Sequence, residues 1–258
     1  MTRVRVATEG GVARVTLARP EKKNALDQAM VAALHDAIRA AGADEAVRAV
    51  CLDAEGPDFC AGADLEALIA MLDAGADAAA HRKDADLLGQ LFIAIRALPK
   101  PVVAAVRGRA LAGGAGLATA CDIVLAHEQA RFGYPEVKVG FVPAMVMTML
   151  RRSVGEKHAF ELAATGRLVD AHEALALGLV SRVIPAAGFD AEVARTTAAL
   201  AATPPAALRL TKRLFYALDS RGFEAGIALG AQTNVESRAT DDFRDGVRRF
   251  TQRGKEGA

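Results

Sequence analysis

Two segments near the start of the chain alternate apolar and polar residues around a glycine turn. Val4–Ala7 and Val12–Ala18 flank Glu9-Gly10-Gly11, which is typical of a β-hairpin, because successive side chains of a strand point to opposite faces. After a polar, basic loop, apolar residues recur at helical spacing as far as about Ala41, and Asp27 is the predicted N-cap. This part therefore predicts a hairpin followed by an amphipathic helix.

The next two apolar strands each end in a turn of small residues that leads into a helix. The first unit runs from Val50 to Asp64 and ends within FCAGADL (Phe59–Leu65), and the second runs from Val102 to Cys121 and contains GRALAGGAG. Between them, Pro99-Lys100-Pro101 ends a helix with a strong apolar face. The same order of strand, turn and helix, met twice, predicts a structural repeat of the α/β class.

The pattern changes after Pro143, where helical spacings dominate and one short strand, Leu179–Ile184, interrupts them. The predicted helices are Ala144–Arg152, Glu156–Thr165, Ala171–Leu177, Phe189–Ala202, Pro205–Leu218, Phe223–Ser237 and Asp241–Thr251. We predict an α/β core over residues 1–195 and a helical C-terminal region over residues 196–258, with no flexible linker between them.

Composition narrows the classes of function. The chain has 258 residues, is 52% hydrophobic and carries a formal net charge of +1, so it suits one large domain and carries no signal for a nucleic-acid partner. Three cysteines without disulfide or metal spacing predict buried thiols in a reducing compartment. Neither a signal peptide nor an apolar run of about 18 residues is visible. We expect a cytoplasmic protein with no membrane partner.

The candidate chemistry lies in the second turn. Gly113-Gly114 precedes a predicted helix start, where backbone N–H groups are unpaired and carry the positive end of the helix dipole. Glu136 follows a strand-like segment, in an exposed-looking Pro-Glu pair. Backbone donors for an anion together with one carboxylate indicate acid/base chemistry on a carbonyl compound.

Each of these motifs also has a purely structural interpretation. FCAGADL can be a tight connection in which Asp64 caps the following helix, and Glu136 can be an acid that the helix dipole stabilises. Lys22 and Lys23 can belong to a solvated loop or hold phosphates. The chain has no P-loop, no G-x-G-x-x-G, no G-x-S-x-G and no zinc-protease motif. The histidines share no metal-ligand spacing, so no metal site is expected.

Four motifs in order, a basic loop ending in NALD, then FCAGADL, GRALAGGAGLATACD and ARFGYPEVKVG, resemble the crotonase superfamily, the enoyl-CoA hydratase/isomerase family. The resemblance covers almost the whole chain and continues through LVDAHEALALGLVSRVI to TDDFRDGVRRF. It implies a crotonase-like spiral of ββα repeats with a C-terminal helical region. It also implies that these C-terminal helices assemble the chain into a homotrimer or a dimer of trimers.

The resemblance assigns roles to particular residues. The N–H groups of Ala63 and Gly113 would form an oxyanion hole for the thioester oxygen of an acyl-CoA substrate, and Glu136 would be the proton shuttle. Coenzyme A enters as part of the substrate, and no permanently bound cofactor or metal is implied. The positions implied to contact the substrate or its CoA are Lys23, Ala25, Ala61, Gly62, Asp64, Leu65 and Gly114.

Two departures from the family pattern bear on the reaction. Gly116 stands where family hydratases carry a first catalytic glutamate, which leaves Glu136 as the one acid. One base suffices to isomerise a 3-enoyl-CoA to a 2-enoyl-CoA, so the sequence favours isomerisation. The alternatives are hydration of a 2-enoyl-CoA and a non-catalytic acyl-CoA-binding homologue. The second departure, Met145-Val146-Met147, replaces a glycine-rich segment and either reshapes the acyl pocket or only packs.

Overall fold

Nine strands form two sheets in the computed structural model, which describes residues 2–256 and the side chains of residues 2–252. The larger sheet has the order β1-β2-β3-β4-β6-β9, and only its first pair is antiparallel. The smaller sheet has the order β5-β7-β8. The strands are β1 (Val4–Glu9), β2 (Val12–Leu17), β3 (Ala49–Ala54), β4 (Val102–Val106), β5 (Arg109–Leu111), β6 (Ile123–His127), β7 (Arg131–Gly133), β8 (Leu168–Asp170) and β9 (Arg182–Ile184).

The helices follow the apolar periodicity closely, and those after Pro143 agree with their predicted bounds to within one or two residues, except that the last runs further. They are α1 (Gln28–Ala43), α2 (Leu65–Asp73), α3 (Ala78–Ala97), α4 (Gly113–Ala120), α5 (Ala144–Ser153), α6 (Glu156–Thr165), α7 (Ala171–Leu177), α8 (Phe189–Ala202), α9 (Pro205–Ala217), α10 (Phe223–Arg238) and α11 (Asp241–Glu256). The predicted cap is confirmed, since the Asp27 carboxylate accepts a hydrogen bond from the Met30 N–H at 2.8 Å.

The central strands of the larger sheet are buried on both faces, so their residues divide between two apolar clusters. Val50 and Leu52 face the larger cluster, together with α1, α3 and α4, whereas Cys51 faces the smaller one with Phe189 and Val193 of α8. This division follows the two-residue period of a strand. The α/β core therefore lies on both sides of one mostly parallel sheet.

The smaller sheet could not be predicted from the sequence. Its three strands have three residues each, too few for an alternating pattern to be recognised, and they are held by long-range pairing instead. The one strand predicted after Pro143, Leu179–Ile184, is shorter than expected, because β9 begins only at Arg182. The smaller sheet matters because it carries the chain to Glu136.

The C-terminal region joins the core through a partly buried ion pair. The Lys212 ammonium of α9 donates to Asp122 at 2.7 Å and to the carbonyls of Ile95 and Lys100, and the Tyr216 hydroxyl donates to Asp122 at 2.7 Å. Burial lowers the pKa of Lys212, while the Asp122 charge opposes that shift.

None of the helices within residues 2–256 combines the length and apolar character needed to cross a bilayer.

Candidate active site

The two small-residue turns pack directly against each other. The first turn is Cys60–Asp64 and the second is Leu111–Gly114. The Leu111 N–H donates to the Cys60 carbonyl at 2.9 Å. A Cβ placed on Gly62 would lie 2.7 Å from the Ala112 Cβ and 3.4 Å from the Gly113 nitrogen. Gly62 also has φ +93°, a conformation that side chains rarely adopt. Only glycine permits this approach.

Two backbone donors at this junction are free. Leu26 donates to the Gly62 carbonyl at 2.8 Å and accepts from the Asp64 N–H at 3.0 Å, which leaves the intervening Ala63 N–H outside the pairing. Gly113 is the first residue of α4, so its N–H has no partner inside the helix. Neither N–H has an acceptor among residues 2–256. Paired donors of this kind suit an oxygen that gains negative charge.

The second turn is held in an unusual backbone conformation. Ala112 has φ 50° and ψ −122°, which is the geometry of a type II′ turn position that glycine normally occupies. Its N–H donates to the Gly133 carbonyl at 2.8 Å and its carbonyl accepts from the Gly116 N–H at 3.0 Å. An outlier held from both sides is consistent with a functional position, where strain is commonly stored.

Glu136 is buried, so the expectation of an exposed Pro-Glu was wrong. It follows β7, which pairs in register with β5 so that Leu111 lies opposite Gly133. The smaller sheet therefore carries Glu136 to the end of the structure where the second turn begins. The residue is 8% exposed, and its Oε2 atom has no hydrogen-bond partner among the described residues. Burial raises the pKa of this carboxyl, although its own N–H opposes the shift.

The loop before α1 lies beside the first turn. Lys23 and Asn24 both have left-handed backbone, with φ 52° and 54°. The Asn24 side chain holds this bend: its amide donates to the carbonyls of Glu55 and Asp58 at 2.9 Å. The Ala61 N–H donates to the Lys23 carbonyl at 3.0 Å. The structure thus brings together the segments predicted to contact CoA, and it adds Asn24, which the sequence analysis did not single out.

Asp64 has the structural role that the sequence analysis kept open. Its carboxylate accepts from the N–H groups of Glu66 and Ala67 as the N-cap of α2 and from the Arg19 guanidinium at 2.6 Å. Burial opposes its charge, but these hydrogen bonds and Arg19 outweigh it and lower the pKa of Asp64. Direct contact of CoA with this carboxylate stays a prediction. The neighbouring Leu65 side chain is exposed.

Arg19 was also missed, although it sits in the polar loop that the sequence analysis noted. Its guanidinium donates to the Ala25 carbonyl at 3.3 Å and pairs with Asp27 at 3.2 Å, besides bonding Asp64. One side chain therefore links the loop before α1, the cap of α1 and the first turn. Lys22, by contrast, lies at the surface and pairs with Glu66 at 2.6 Å.

The space beside Gly116 is filled with apolar side chains. A Cβ on Gly116 would lie 2.4 Å from Val146 Cγ1 and 3.1 Å from Phe92 Cζ. Val146 belongs to α5, the segment that carries the second departure from the family pattern. Both side chains are buried. The two departures thus meet at one place, where Val146 of α5 packs against α4.

Neither the cysteines nor a metal cluster adds a second chemistry among the described residues, whereas the buried Tyr134 hydroxyl, like the Glu136 Oε2 atom, has no hydrogen-bond partner there. All three cysteines are buried and free, as the sequence predicted, and burial raises the pKa of the Cys60 thiol to about 12. Within residues 2–252, no three His, Cys, Asp or Glu side chains converge as they would around a metal ion.

Comparison with known proteins identifies the relatives of this chain. The family model described as enoyl-CoA hydratase/isomerase matches residues 7–257. A Thermus thermophilus protein named "Putative enoyl-CoA hydratase" is 46% identical over 94% of this chain and 95% of its own length. The 2,3-dehydroadipyl-CoA hydratase of Escherichia coli is 33% identical over 98% of this chain and 97% of its own length. An enoyl-CoA hydratase structure from Mycobacterium smegmatis superposes with a TM-score of 0.94 at 35% identity, covering 98% of this chain and 97% of that one.

Proposed function

The chain belongs to the enoyl-CoA hydratase/isomerase family and has the crotonase fold, and from that premise we propose that it isomerises the double bond of an acyl-CoA thioester between positions 3 and 2. The proposal depends on two observations: Glu136 is a buried carboxylate, and apolar side chains lie against Gly116, where the family's hydratases carry a second one. Addition of water to a double bond needs a water held for deprotonation and a proton for the α-carbon. Proton transfer within the substrate needs only one base.

The proposed steps use groups already described. The Ala63 and Gly113 N–H groups hold the thioester oxygen, and the Glu136 carboxylate removes a proton from C2 of a 3-enoyl-CoA. The C2–H electron pair moves into the dienolate, whose oxygen gains most from the two fixed donors; losing one such donor typically costs about 3–4 kcal/mol of barrier. Glu136 then returns the proton at C4, so that the double bond lies between C2 and C3 and no atom is gained or lost.

The burial of Glu136 suits this role. A carboxyl whose pKa is raised by burial is a stronger base than an exposed one and holds its proton more readily between the two transfers. Because its Oε2 atom has no protein partner among the described residues, that oxygen is available to the substrate. Lys23, Ala25 and the segment from Ala61 to Leu65 would contact the CoA portion, with Gly114 beside the second donor.

Hydration is the second candidate, because the named relatives are hydratases. In that case the second polar group, which would hold the reacting water beside Glu136, has to come from a residue other than Gly116. A non-catalytic acyl-CoA binder is the alternative from another class. One assay separates the three: the protein is incubated with a 3-enoyl-CoA and, separately, with crotonyl-CoA, and conjugation is followed by absorbance and products by mass. Conjugation without added water supports isomerisation, added water supports hydration, and binding without turnover supports the binder.

Glu136→Gln tests the base directly. We expect kcat to fall by at least about 10²-fold while the Kd for a CoA ester stays within about twofold, because glutamine preserves the shape but cannot accept the proton. Glu156→Gln, at the exposed start of α6, is the matched control and should retain full activity. An unchanged kcat in Glu136→Gln removes Glu136 from the mechanism.

The pH profile follows from the raised pKa of Glu136. Activity should fall as the pH drops through that pKa, and this acid limb should begin above the range of an ordinary glutamate. The sign for stability is opposite: ionising a group whose folded pKa is raised costs folding free energy as the pH rises through that window. Glu136→Gln should therefore melt higher than the wild type at neutral pH, and the difference should vanish below about pH 4.3.

We also infer that residues 196–258 form the assembly surface of a homotrimer or dimer of trimers. The support lies on α10, where Phe223 is 79% and Val235 is 69% exposed beside a groove of 890 Å³. Exposed apolar residues gathered on one element commonly mark a protein interface.

Because the three thiols are buried and free, a reducing compartment such as the cytoplasm is the proposed location.

A further inference from the structure

An apolar wall borders the second turn on the side of α3 and α5. Gly113 and Gly116 lie one helical turn apart on α4 and face Leu88 and Phe92, which lie one turn apart on α3. A Cβ on Gly113 would meet Leu88 Cδ2 at 3.7 Å, whereas one on Gly116 would meet Phe92 and Val146. The wall therefore continues from the free Gly113 N–H to Val146.

Val146 is tightly constrained at this wall. It is 3% exposed, and both its Cγ1 and its Cβ lie near the Cβ position of Gly116, at 2.4 Å and 3.2 Å. A valine on a helix has one strongly preferred rotamer, so its methyl groups cannot turn away at small cost. The preceding residue anchors the same helix, since Met145 Sδ lies 3.6 Å from the Cβ position of Gly89 on α3.

From this geometry we propose that Val146, backed by Phe92, determines the reaction that the site performs. It excludes from position 116 the second carboxylate that would hold a reacting water, and so restricts the site to proton transfer within the substrate. A carboxylate placed against Val146 and Phe92 would lie beside apolar atoms, where burial opposes its charge. The proposal rests on the proposed isomerase function and names the residue that sets its specificity.

The close contact between position 116 and Val146, which we call the interlock, can be measured without any substrate. Gly116→Ala should lower the melting temperature strongly in the wild type, because the new Cβ meets Val146 Cγ1 at 2.4 Å. In a Val146→Ala background that methyl is gone, and the drop should be less than half as large. Gly246→Ala, in open space on α11, is the control for helix propensity. Val154→Ala, at the buried residue that follows α5, is the control for removing valine methyls. Equal drops in both backgrounds would overturn the interlock.

The effect on the reaction is tested by adding an acid. Gly116→Glu alone should hydrate crotonyl-CoA poorly, because the carboxylate and Val146 compete for one space. Gly116→Glu with Val146→Ala should hydrate it at least tenfold faster than Gly116→Glu alone, with added water mass as the readout. Gly116→Asp with and without Val146→Ala repeats the comparison with a shorter acid, in case the glutamate variants do not fold.

The outcomes separate this inference from the proposed function. Val146 does not determine the reaction if Gly116→Glu alone hydrates crotonyl-CoA as fast as Gly116→Glu with Val146→Ala. The same conclusion follows if the folded double variant gains no hydration activity. If the wild-type protein hydrates crotonyl-CoA rapidly and does not isomerise a 3-enoyl-CoA, the proposed function fails, and with it the specificity claim. The melting-temperature comparison would still decide whether Gly116 and Val146 are interlocked.

Discussion

The two turns of the site present similar backbone donors but are stabilised in opposite ways. The first turn leads into α2, which has no buried residue, and depends on a polar network in which Arg19 and Asp64 are central. The second turn leads into α4, all of whose residues are buried and whose N-cap makes no side-chain hydrogen bond. Similar donors can thus be positioned by charge and capping in one place and by packing in another.

The difference is also one of tolerance. In the polar turn, each contact is worth a few kcal/mol at most and can be removed singly. In the packed turn, the neighbours are backbone atoms and short side chains, which cannot move aside. Gly114 illustrates this, because its Cβ position lies 2.3 Å from the Cys60 carbonyl oxygen. The packed turn should therefore fail abruptly, and the polar turn gradually.

The largest effect should come from Gly114→Ala. The added methyl would overlap the Cys60 carbonyl oxygen and lie 2.8 Å from its sulfur, so the two turns must separate. We expect a loss of about 4 kcal/mol or more in the free energy of unfolding, measured by urea denaturation. Gly246→Ala is the control and should change stability by no more than about 1 kcal/mol. A Gly114→Ala protein of wild-type stability would show that the packed turn is as tolerant as the polar one.

Arg19→Met should have the next largest effect. It removes the Arg19 hydrogen bond from Asp64, which keeps its two backbone donors, so we expect a loss of about 1–3 kcal/mol in the free energy of unfolding. Arg19→Lys should recover part of this because it keeps the charge. The lowered pKa of Asp64 means that its stabilising contribution is present above the unfolded pKa of about 3.9 and is lost as the pH falls through the lower folded value. Urea denaturation should therefore show a gap between wild type and Arg19→Met that narrows at acid pH. A gap that is independent of pH would contradict the network.

The smallest effect should come from Ala112→Gly, which relieves the unusual backbone of the packed turn. Glycine adopts φ 50°, ψ −122° without a Cβ penalty, although it loses more entropy on folding. We expect a net gain of about 1 kcal/mol or less in the free energy of unfolding, with the donor geometry retained. Destabilisation by more than about 1 kcal/mol would show that packing of the Ala112 methyl group against Gly62 stabilises the turn by more than its backbone conformation costs.

Local patterns were sufficient for much of this molecule. The helices, the hairpin and the Asp27 and Asp64 caps follow from periodicity and capping chemistry, which act between residues close in the chain. The two turns could be located for the same reason, since each joins a clear strand to a clear helix. The candidate residues Ala63 and Gly113 came from the family resemblance of the motifs at those turns, and Glu136 came from ARFGYPEVKVG. Their catalytic roles remain proposals.

What the sequence determined by itself is therefore the helices, the longer strands and, through the motif order, the class of fold; the residues that carry chemistry it only proposes. Only the tertiary structure decided that Glu136 is buried, because it lies beyond three-residue strands that exist only through pairing with distant segments. It alone placed Val146 against Gly116, since helix packing brings together side chains that no local pattern links. Burial and close contact arise from the whole fold, and they set both the basicity of Glu136 and the space beside Gly116.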